Sequence, residues 1–408
     1  MTPVFLIVLL AFVAYSLFSK AIARSPVTLP MLFTGLGLAL SAPLHAHLPG
    51  DLIDEGKKGL AEVTLILVLF SDASHVRFRR LARDWQIPAR MLVIGMPLTI
   101  ALGTAVAYWL NPASGLAVAL LTAAVLTPTD AALGQAVVTN PEVPERLGQT
   151  INVESGLNDG LALPFVLLGA ILASSMAGVE TGAETGAGAG TGAGALAVEA
   201  LREVLLGPLA GAAVGWGAAR AMDWAQDRDL TEVSAGAVIF LVTALAAYGV
   251  ATAVHGNGFI AAFVAGMVFG NSYRHDIRFI GEFMEGTGQL LTMSAFLVFG
   301  AFLLPGGLAH AGAPTVALAI LFLTVVRMGP IFVSLAGSGL AAREKLFLGW
   351  FGPRGLASIL FTLLMMDQFD FPGEDELLAC VSLTVGLSIL LHGLSATPLA
   401  TRIGRMAD

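Results

Sequence analysis

Residues 114–139 read SGLAVALLTAAVLTPTDAALGQAVVT. About 20 apolar residues suffice to cross a bilayer as one helix, so this run is long enough to span. Its middle, however, holds Thr127-Pro128-Thr129-Asp130. Proline removes a backbone donor and clashes one turn back, so it kinks or breaks a helix. A carboxylate at mid-bilayer costs at least ~2.5 kcal/mol on insertion scales and marks a functional site by default. A second run, residues 344–366, repeats the pattern around Gly352-Pro353-Arg354-Gly355. Paired interrupted segments in two halves of a chain point to a transport site near the midplane. A broken helix exposes the partial charges of two half-helix ends. Asp130 can neutralise facing N-terminal ends and Arg354 facing carbonyl ends, the opposite compensation that an inverted repeat produces.

The rest of the chain fits that setting. Of 408 residues, 56% are hydrophobic and 12% charged, with formal net charge −8, and the mean hydropathy is +0.82. A soluble domain carries about 25% charged residues. The apolar runs give about thirteen expected spans: 3–19, 27–44, 59–76, 88–110, 114–139, 146–176, 196–222, 232–253, 257–272, 283–304, 313–336, 344–366 and 376–400. They are too long and too uniformly apolar for the ~10-residue alternating strands of a barrel. The expected fold is therefore an all-α membrane protein with inverted repeats and two interrupted, crossing helices. The single cysteine, Cys380, excludes a disulfide framework.

Charge placement sets the orientation. Residues 4–18 are apolar, no basic residue precedes them, and Lys20 and Arg24 follow. A cleaved signal has the reverse polarity, so this is a first span with its N-terminus outside. Loops on the cytoplasmic side then hold Lys20, Arg24, Arg77, Arg79, Arg80, Arg83, Arg90, Arg146, Arg220, Arg228, Arg274, Arg278, Arg343 and Lys345, with Arg402 and Arg405 in the tail. Outside loops hold only Lys57, Lys58 and Arg202, together with the acidic stretch Asp367, Asp370, Glu374, Asp375 and Glu376. That asymmetry follows the positive-inside rule and implies a multi-pass protein of the cell membrane with a cytoplasmic C-terminus. Residues 177–195, rich in Gly and Ala, lack the strand and spacing of a phosphate-binding loop and read as a flexible outside linker. With eight residues after position 400, no regulatory domain is expected to follow the last span. No cofactor and no nucleic-acid partner are expected.

The ionisable residues inside spans are Asp72, Asp130, Glu154, Asp159, Arg327 and Arg354. The densest cluster is Asn152-Val153-Glu154-Ser155-Gly156-Leu157-Asn158-Asp159-Gly160 in the sixth span. At helical spacing Ser155 and Asp159 share one line, and Glu154 and Asn158 the adjacent one. Thirteen residues at 1.5 Å each put Asp159 roughly 20 Å from Arg146, close to the bilayer middle. Two acids on one buried face need different treatment. Arg327 is the partner expected for Glu154, since a lone arginine at mid-span is an unpaired cation. Asp159 then lacks a fixed cation, so a proton and a metal cation can compete for it. Hard monovalent cations want oxygen ligands. Asp159, Ser155, Thr129, Asp72 and a freed carbonyl near 127–129 can supply them. Asp72 is either such a ligand, lining an entry funnel, or a helix-end carboxylate beside Arg77.

Thr129-Asp130, Glu154-Ser155-x-x-Asn158-Asp159, Arg327 and Gly352-Pro353-Arg354-Gly355 together resemble the NhaP-type sodium/proton antiporters and the eukaryotic sodium/proton exchangers. The resemblance covers nearly the whole chain. It implies thirteen helices, a homodimer and an elevator-like motion of a helical core (about 59–176 and 283–400) against a dimerisation scaffold (about 3–44 and 196–272), all within one transmembrane domain spanning 1–408. It implies exchange of H⁺ for Na⁺, or Li⁺ or K⁺, with Asp159 as the essential carboxylate and Glu154–Arg327 as a stabilising pair. It adds Asn158 and Asp130 to the ion- and proton-binding set. Asn158-Asp159 is similar to the electroneutral branch, which implies one cation per proton; electrogenic relatives carry two adjacent aspartates. The chain departs at Asp72, where archaeal relatives have glutamate.

Other classes fit less well. An intramembrane aspartyl protease needs G-x-G-D, but Asn158 stands where the second glycine belongs, and no Tyr-Asp pair occurs. A serine intramembrane protease needs G-x-S-G, whereas the chain has Ala336-Gly337-Ser338-Gly339. His255 is expected near an outside helix end, and His75, His275 and His392 at span edges in water. An enzyme is therefore not expected. The nearer rival is a sodium-coupled organic-anion symporter on the same fold, which needs larger polar pockets around its breaks.

Overall fold

The computed structural model describes residues 3–22, 25, 27–47, 49–76, 85–138, 140–181, 193–232, 235–275 and 278–405. Arg24, Arg77, Arg79, Arg80 and Arg83, and most of the Gly/Ala stretch read as a linker, lie outside the described residues. The elements in chain order are α1 (Pro3–Ile22), α2 (Leu29–His47), α3 (Gly50–His75), α4 (Gln86–Leu110), α5 (Gly115–Val125), α6 (Ala131–Val138), α7 (Glu145–Thr181) and α8 (Ala193–Gln226). They continue as α9 (Ala235–Ala253), α10 (Gly258–Ser272), α11 (Arg278–Val298, prolonged through Phe299–Leu303 and Leu304–Ala309), α12 (Ala313–Ser334), α13 (Ala342–Trp350), α14 (Leu356–Gln368) and α15 (Glu374–Gly404). No strand occurs among the described residues.

Helix occupies every expected span. Nine helices among the described residues are long and apolar enough to cross a membrane, and Pro112–Val125, Gly258–Ser272 and Leu356–Gln368 are shorter apolar helices. The two interruptions lie where proline predicts them: residues 126–130 separate α5 from α6, and 351–355 separate α13 from α14. A third was not legible. The twelfth helix turns at Thr324 (φ −116°, ψ −94°), three residues before Arg327, with neither Gly nor Pro at the turn. Helix α3 also starts at Gly50, nine residues before the expected 59. Its charged first turns hold themselves in helix at the water boundary through Lys57–Asp54 (2.7 Å), and Lys58 pairs with Asp367 at 2.7 Å.

Lipid offers no hydrophobic drive between helices, so close packing at small residues holds them together. Gly266 and Gly270 of α10 lie against the Phe70 and Ser74 carbonyls of α3, leaving no room for a side chain. Gly37 of α2 and Gly300 of α11 meet each other's helix the same way, at Leu297 O and Thr34 O. Phe70, Phe240 and Phe269 fill the space beside the first contact, with edge-to-face rings 4.6 and 5.5 Å apart.

Contacts between helix ends pair loops expected on one side of the membrane. On the side expected outside, Lys58 meets Asp367, and Glu376 accepts from Asn111 and Ser114. On the other, Arg90 donates to Ala336 O, and Asp223 accepts from Arg274 N and contacts His275 Nδ1. These pairings are the ones that alternating passes produce.

Replacing Gly266 with leucine forces α10 off the Phe70 carbonyl. Overpacking costs ~1–3 kcal/mol in ordinary cores, so Gly266→Leu is expected to lower the thermal midpoint of purified protein by several degrees. Gly35→Leu, where a Cβ meets nothing within 4 Å, is expected to match wild type in the same melt.

Candidate ion-binding site

The two breaks bond to each other. The amide of Asp130 donates to Pro353 O at 2.8 Å, and the amide of Leu356, the first residue of α14, donates to Asp130 Oδ2 at 2.6 Å. The other oxygen, Oδ1, accepts from Leu133 N in the first turn of α6 at 3.2 Å. One buried carboxylate, 5% exposed, thus caps the N-termini of two half-helices. A side chain on Gly355 would land on that carboxylate, which explains glycine there. Such ends concentrate partial positive charge and orphan amides.

The carbonyl ends are treated differently from expectation. Arg354 is fully buried, and its Nη1 donates to Gly352 O at 2.9 Å, beyond the end of α13. At the end of α5, Val125 O accepts instead from Ser358 Oγ of α14 at 2.7 Å. Ser358 gave no signal in the sequence, because a serine in an apolar helix more often bonds its own preceding turn.

Beside the crossing, α7 carries Glu154, Ser155, Asn158 and Asp159. Arg327 grips Glu154 with two parallel bonds, Nη1 to Oε1 at 2.8 Å and Nη2 to Oε2 at 2.9 Å, with both residues 2% exposed. The turn at Thr324 precedes Arg327 by less than one helical turn, and the guanidinium lies against Gly352, where any side chain would collide with it. Thr129, in the first break, reaches the same group. Its hydroxyl lies 3.0 Å from Ser155 Oγ and 3.4 Å from Glu154 Oε2, and it accepts from Asn158 Nδ2 at 2.5 Å.

Asp159 stands one turn beyond Ser155 and is 8% exposed. Its Oδ1 and the Oδ1 of Asn158 are buried without a hydrogen-bond partner. Gly160 packs against the Phe263 ring of α10. Asp72 of α3 is half-buried and faces α7, where a Cβ on Gly156 would stand 3.9 Å from Asp72 Cβ. The structure therefore gathers Asp72, Thr129, Asp130, Glu154, Ser155, Asn158, Asp159, Arg327 and Arg354 around one crossing. Glu154 has a guanidinium and Asp130 two helix ends. Two buried oxygens, on Asp159 and Asn158, have no hydrogen-bond partner.

The histidines divide. His255 (φ 58°), His75 and His275 are exposed. His392, expected in water at a span edge, is 1% exposed. The last helix runs on to Gly404, which places position 392 inside the packed bundle rather than near its end.

Two interrupted helices that cross over buried charge define a class, the transporter folds built on broken helices. The sodium/hydrogen exchanger transmembrane family matches residues 7–402, and the chain belongs to that family. The fold is that of the sodium proton antiporter MjNhaP1 from Methanocaldococcus jannaschii, with a TM-score of 0.73 at 18% identity over 98% of both chains. The K(+)/H(+) antiporter NhaP of Alkalimonas amylolytica is 24% identical over 345 residues, covering 84% of this chain and 56% of that protein. The Na(+)/H(+) antiporter 2 of Zygosaccharomyces rouxii is 23% identical over 370 residues, covering 82% of this chain and 44% of that protein. The chain spans about half the length of the curated relatives it matches.

Removing one partner of a buried ion pair strands the other charge, at a cost of about 3–5 kcal/mol. Glu154→Ala is therefore expected to cut the yield of folded protein and lower its thermal midpoint in detergent sharply. Glu154→Ala/Arg327→Met, which removes both charges, is expected to recover most of the loss in the same melt.

Proposed function

We propose that the protein exchanges a monovalent cation for H⁺ across the cell membrane, one for one, with both competing for Asp159. The observation that carries this reading is the buried Asp159 oxygen left without a partner beside an intact Glu154–Arg327 pair. Deprotonated, Asp159 is a carboxylate needing a cation, and the unpaired Asn158 oxygen and the Ser155 hydroxyl are oxygen ligands nearby; Asp72 lines the approach. Protonated, it is neutral and releases the cation. The alternation of access follows from cost. A bare carboxylate crossing a low-dielectric barrier is penalised, so only the loaded or protonated site moves. Relatives named for K⁺/H⁺ and Na⁺/H⁺ antiport support the substrate class, and the candidate cations are Na⁺, Li⁺ and K⁺. The tight packing of both breaks around Asp130 and Arg354 favours small ions over organic anions.

The moving unit in this reading is the bundle that carries the crossing, α4–α7 and α12–α15. The carbonyl-level contacts of α3 with α10 and of α2 with α11 support grouping α3 and α11 with α1, α2 and α8–α10 as the scaffold. The division inferred from the sequence, with 59–76 and 283–304 in the core, moves accordingly. A homodimer formed through the scaffold, with N-terminus outside and C-terminus cytoplasmic, completes the proposal.

Proton flux in proteoliposomes tests it. With an imposed pH gradient and a fluorescent pH reporter, Na⁺, Li⁺ or K⁺ is expected to collapse the gradient and choline to leave it intact. The response is expected to be insensitive to a potential clamp. Asp159→Asn is expected to remain folded and to abolish the response. Full flux in that variant removes Asp159 from the mechanism, and no response to any cation in the wild type removes antiport.

A further inference from the structure

The buried His392 of α15 has a bonding pattern that leaves no choice of roles. Its Nε2 lies 2.9 Å from Trp350 O, and a carbonyl only accepts, so Nε2 carries the hydrogen. In the neutral ring Nδ1 is then an acceptor. It lies 3.1 Å from both the Oγ and the carbonyl oxygen of Ser388, and only the hydroxyl can donate. Ser388 Oγ itself accepts from the amide of Arg354 at 2.7 Å, which leaves its hydrogen for the ring. The Trp350 indole lies 4.9 Å from the imidazole and donates to Ser395 Oγ at 2.9 Å, on the same helix.

The groups served matter more than the ring. Trp350 is the last residue of α13, and Arg354 lies in the break before α14. One turn of α15 therefore holds the chain at the end of α13 and again inside the second break. Between them, Pro353 O accepts from the amide of Asp130, and Thr129, the next residue back, touches Ser155 and Asn158. A path of hydrogen bonds and single peptide links thus runs from His392 to the ligands around Asp159.

We propose that His392 is a positioning residue for the cation site, acting through Ser388, Arg354 N and the Pro353–Asp130 bond to set Thr129 against Asn158. The proposal rests on the antiport reading. A space-filling role needs no polar atoms, and an apolar ring fills the volume without the cost of burying nitrogens. The imidazole instead donates to Trp350 O, which also accepts from Gly352 N, and it accepts from Ser388, whose oxygen satisfies the Arg354 amide that the broken helix has orphaned.

The test measures the cation concentration giving half-maximal flux in proteoliposomes, and that giving half-maximal thermal stabilisation of purified protein. His392→Phe is expected to raise both by about tenfold, the scale of one buried group left unbonded. Ser388→Ala is expected to shift them the same way, and the double variant no further than His392→Phe alone, because both lie on one path. His392→Gln, which keeps a donor and an acceptor, is expected to recover most of the loss. Thr384→Ala is the structural control. That hydroxyl is buried and bonds Cys380 O of its own helix at 2.6 Å, so its loss is expected to lower stability alone. Wild-type half-saturation in His392→Phe, or additive effects in the double variant, overturns the proposal. Should His392→Phe not fold, unchanged half-saturation in Ser388→Ala overturns it equally. A wild type with neither cation-driven flux nor cation-dependent stabilisation overturns the antiport reading and this one with it. A wild type that exchanges normally beside an unaltered His392→Phe overturns this one alone.

Discussion

The carboxylate of Asp130 shared between Leu133 N and Leu356 N is the interaction on which the rest of the centre depends. A membrane interior supplies no water to groups that lose helical partners, so irregular backbone persists there only where protein satisfies it. Two breaks on separate helices leave two N-terminal ends with amides to satisfy. One acid placed between them serves both, and the Asp130 amide returns a bond to Pro353 O. The breaks are thereby locked in register. Thr129, fixed as the neighbour of Asp130, brings its hydroxyl to α7, and Gly352, fixed as the neighbour of Pro353, makes room for the Arg327 guanidinium.

Charge arrangement at the crossing then separates two acids with fixed partners from one with a buried, unpartnered oxygen. Glu154 is held by two bonds from Arg327, and Asp130 by helix ends; neither can give up its negative charge without stranding a partner. Asp159, one turn on from Ser155, has a buried oxygen with nothing to bond. In a low-dielectric setting such a group is satisfied only by what arrives, a proton or a cation. In the proposed exchange, competition at one carboxylate needs no further machinery, so one helix can carry both a permanent ion pair and an exchangeable site.

The apolar spans and the loops between them were easy to separate in sequence, as were the two proline breaks and the six ionisable residues inside spans. The Asn158–Thr129 bond was not, because it joins a helix to a break that can be located but not oriented. Ser358 and Ser388 were invisible for a related reason. A serine in an apolar helix usually bonds its own turn, and nothing local tells that Val125 O or Arg354 N lies across from it. His392 was misjudged because its depth depends on how far α15 runs and what packs around it. The turn at Thr324 had no marker, as neither glycine nor proline stands there.

What the sequence by itself determined was the class of environment and the inventory of exceptional groups. Hydropathy is additive along a chain, so length and composition settle which segments can enter a bilayer, and a charge or proline inside one is conspicuous because it is costly there. Which groups meet was decided by tertiary structure alone. Glycine-to-carbonyl contacts set the helix spacing, and the mutual capping of two broken helices sets their register. A hydrogen bond depends on tenths of an ångström between segments hundreds of residues apart, as between Asp130 and Leu356. That distance is a property of the packed bundle, and no stretch of sequence contains it.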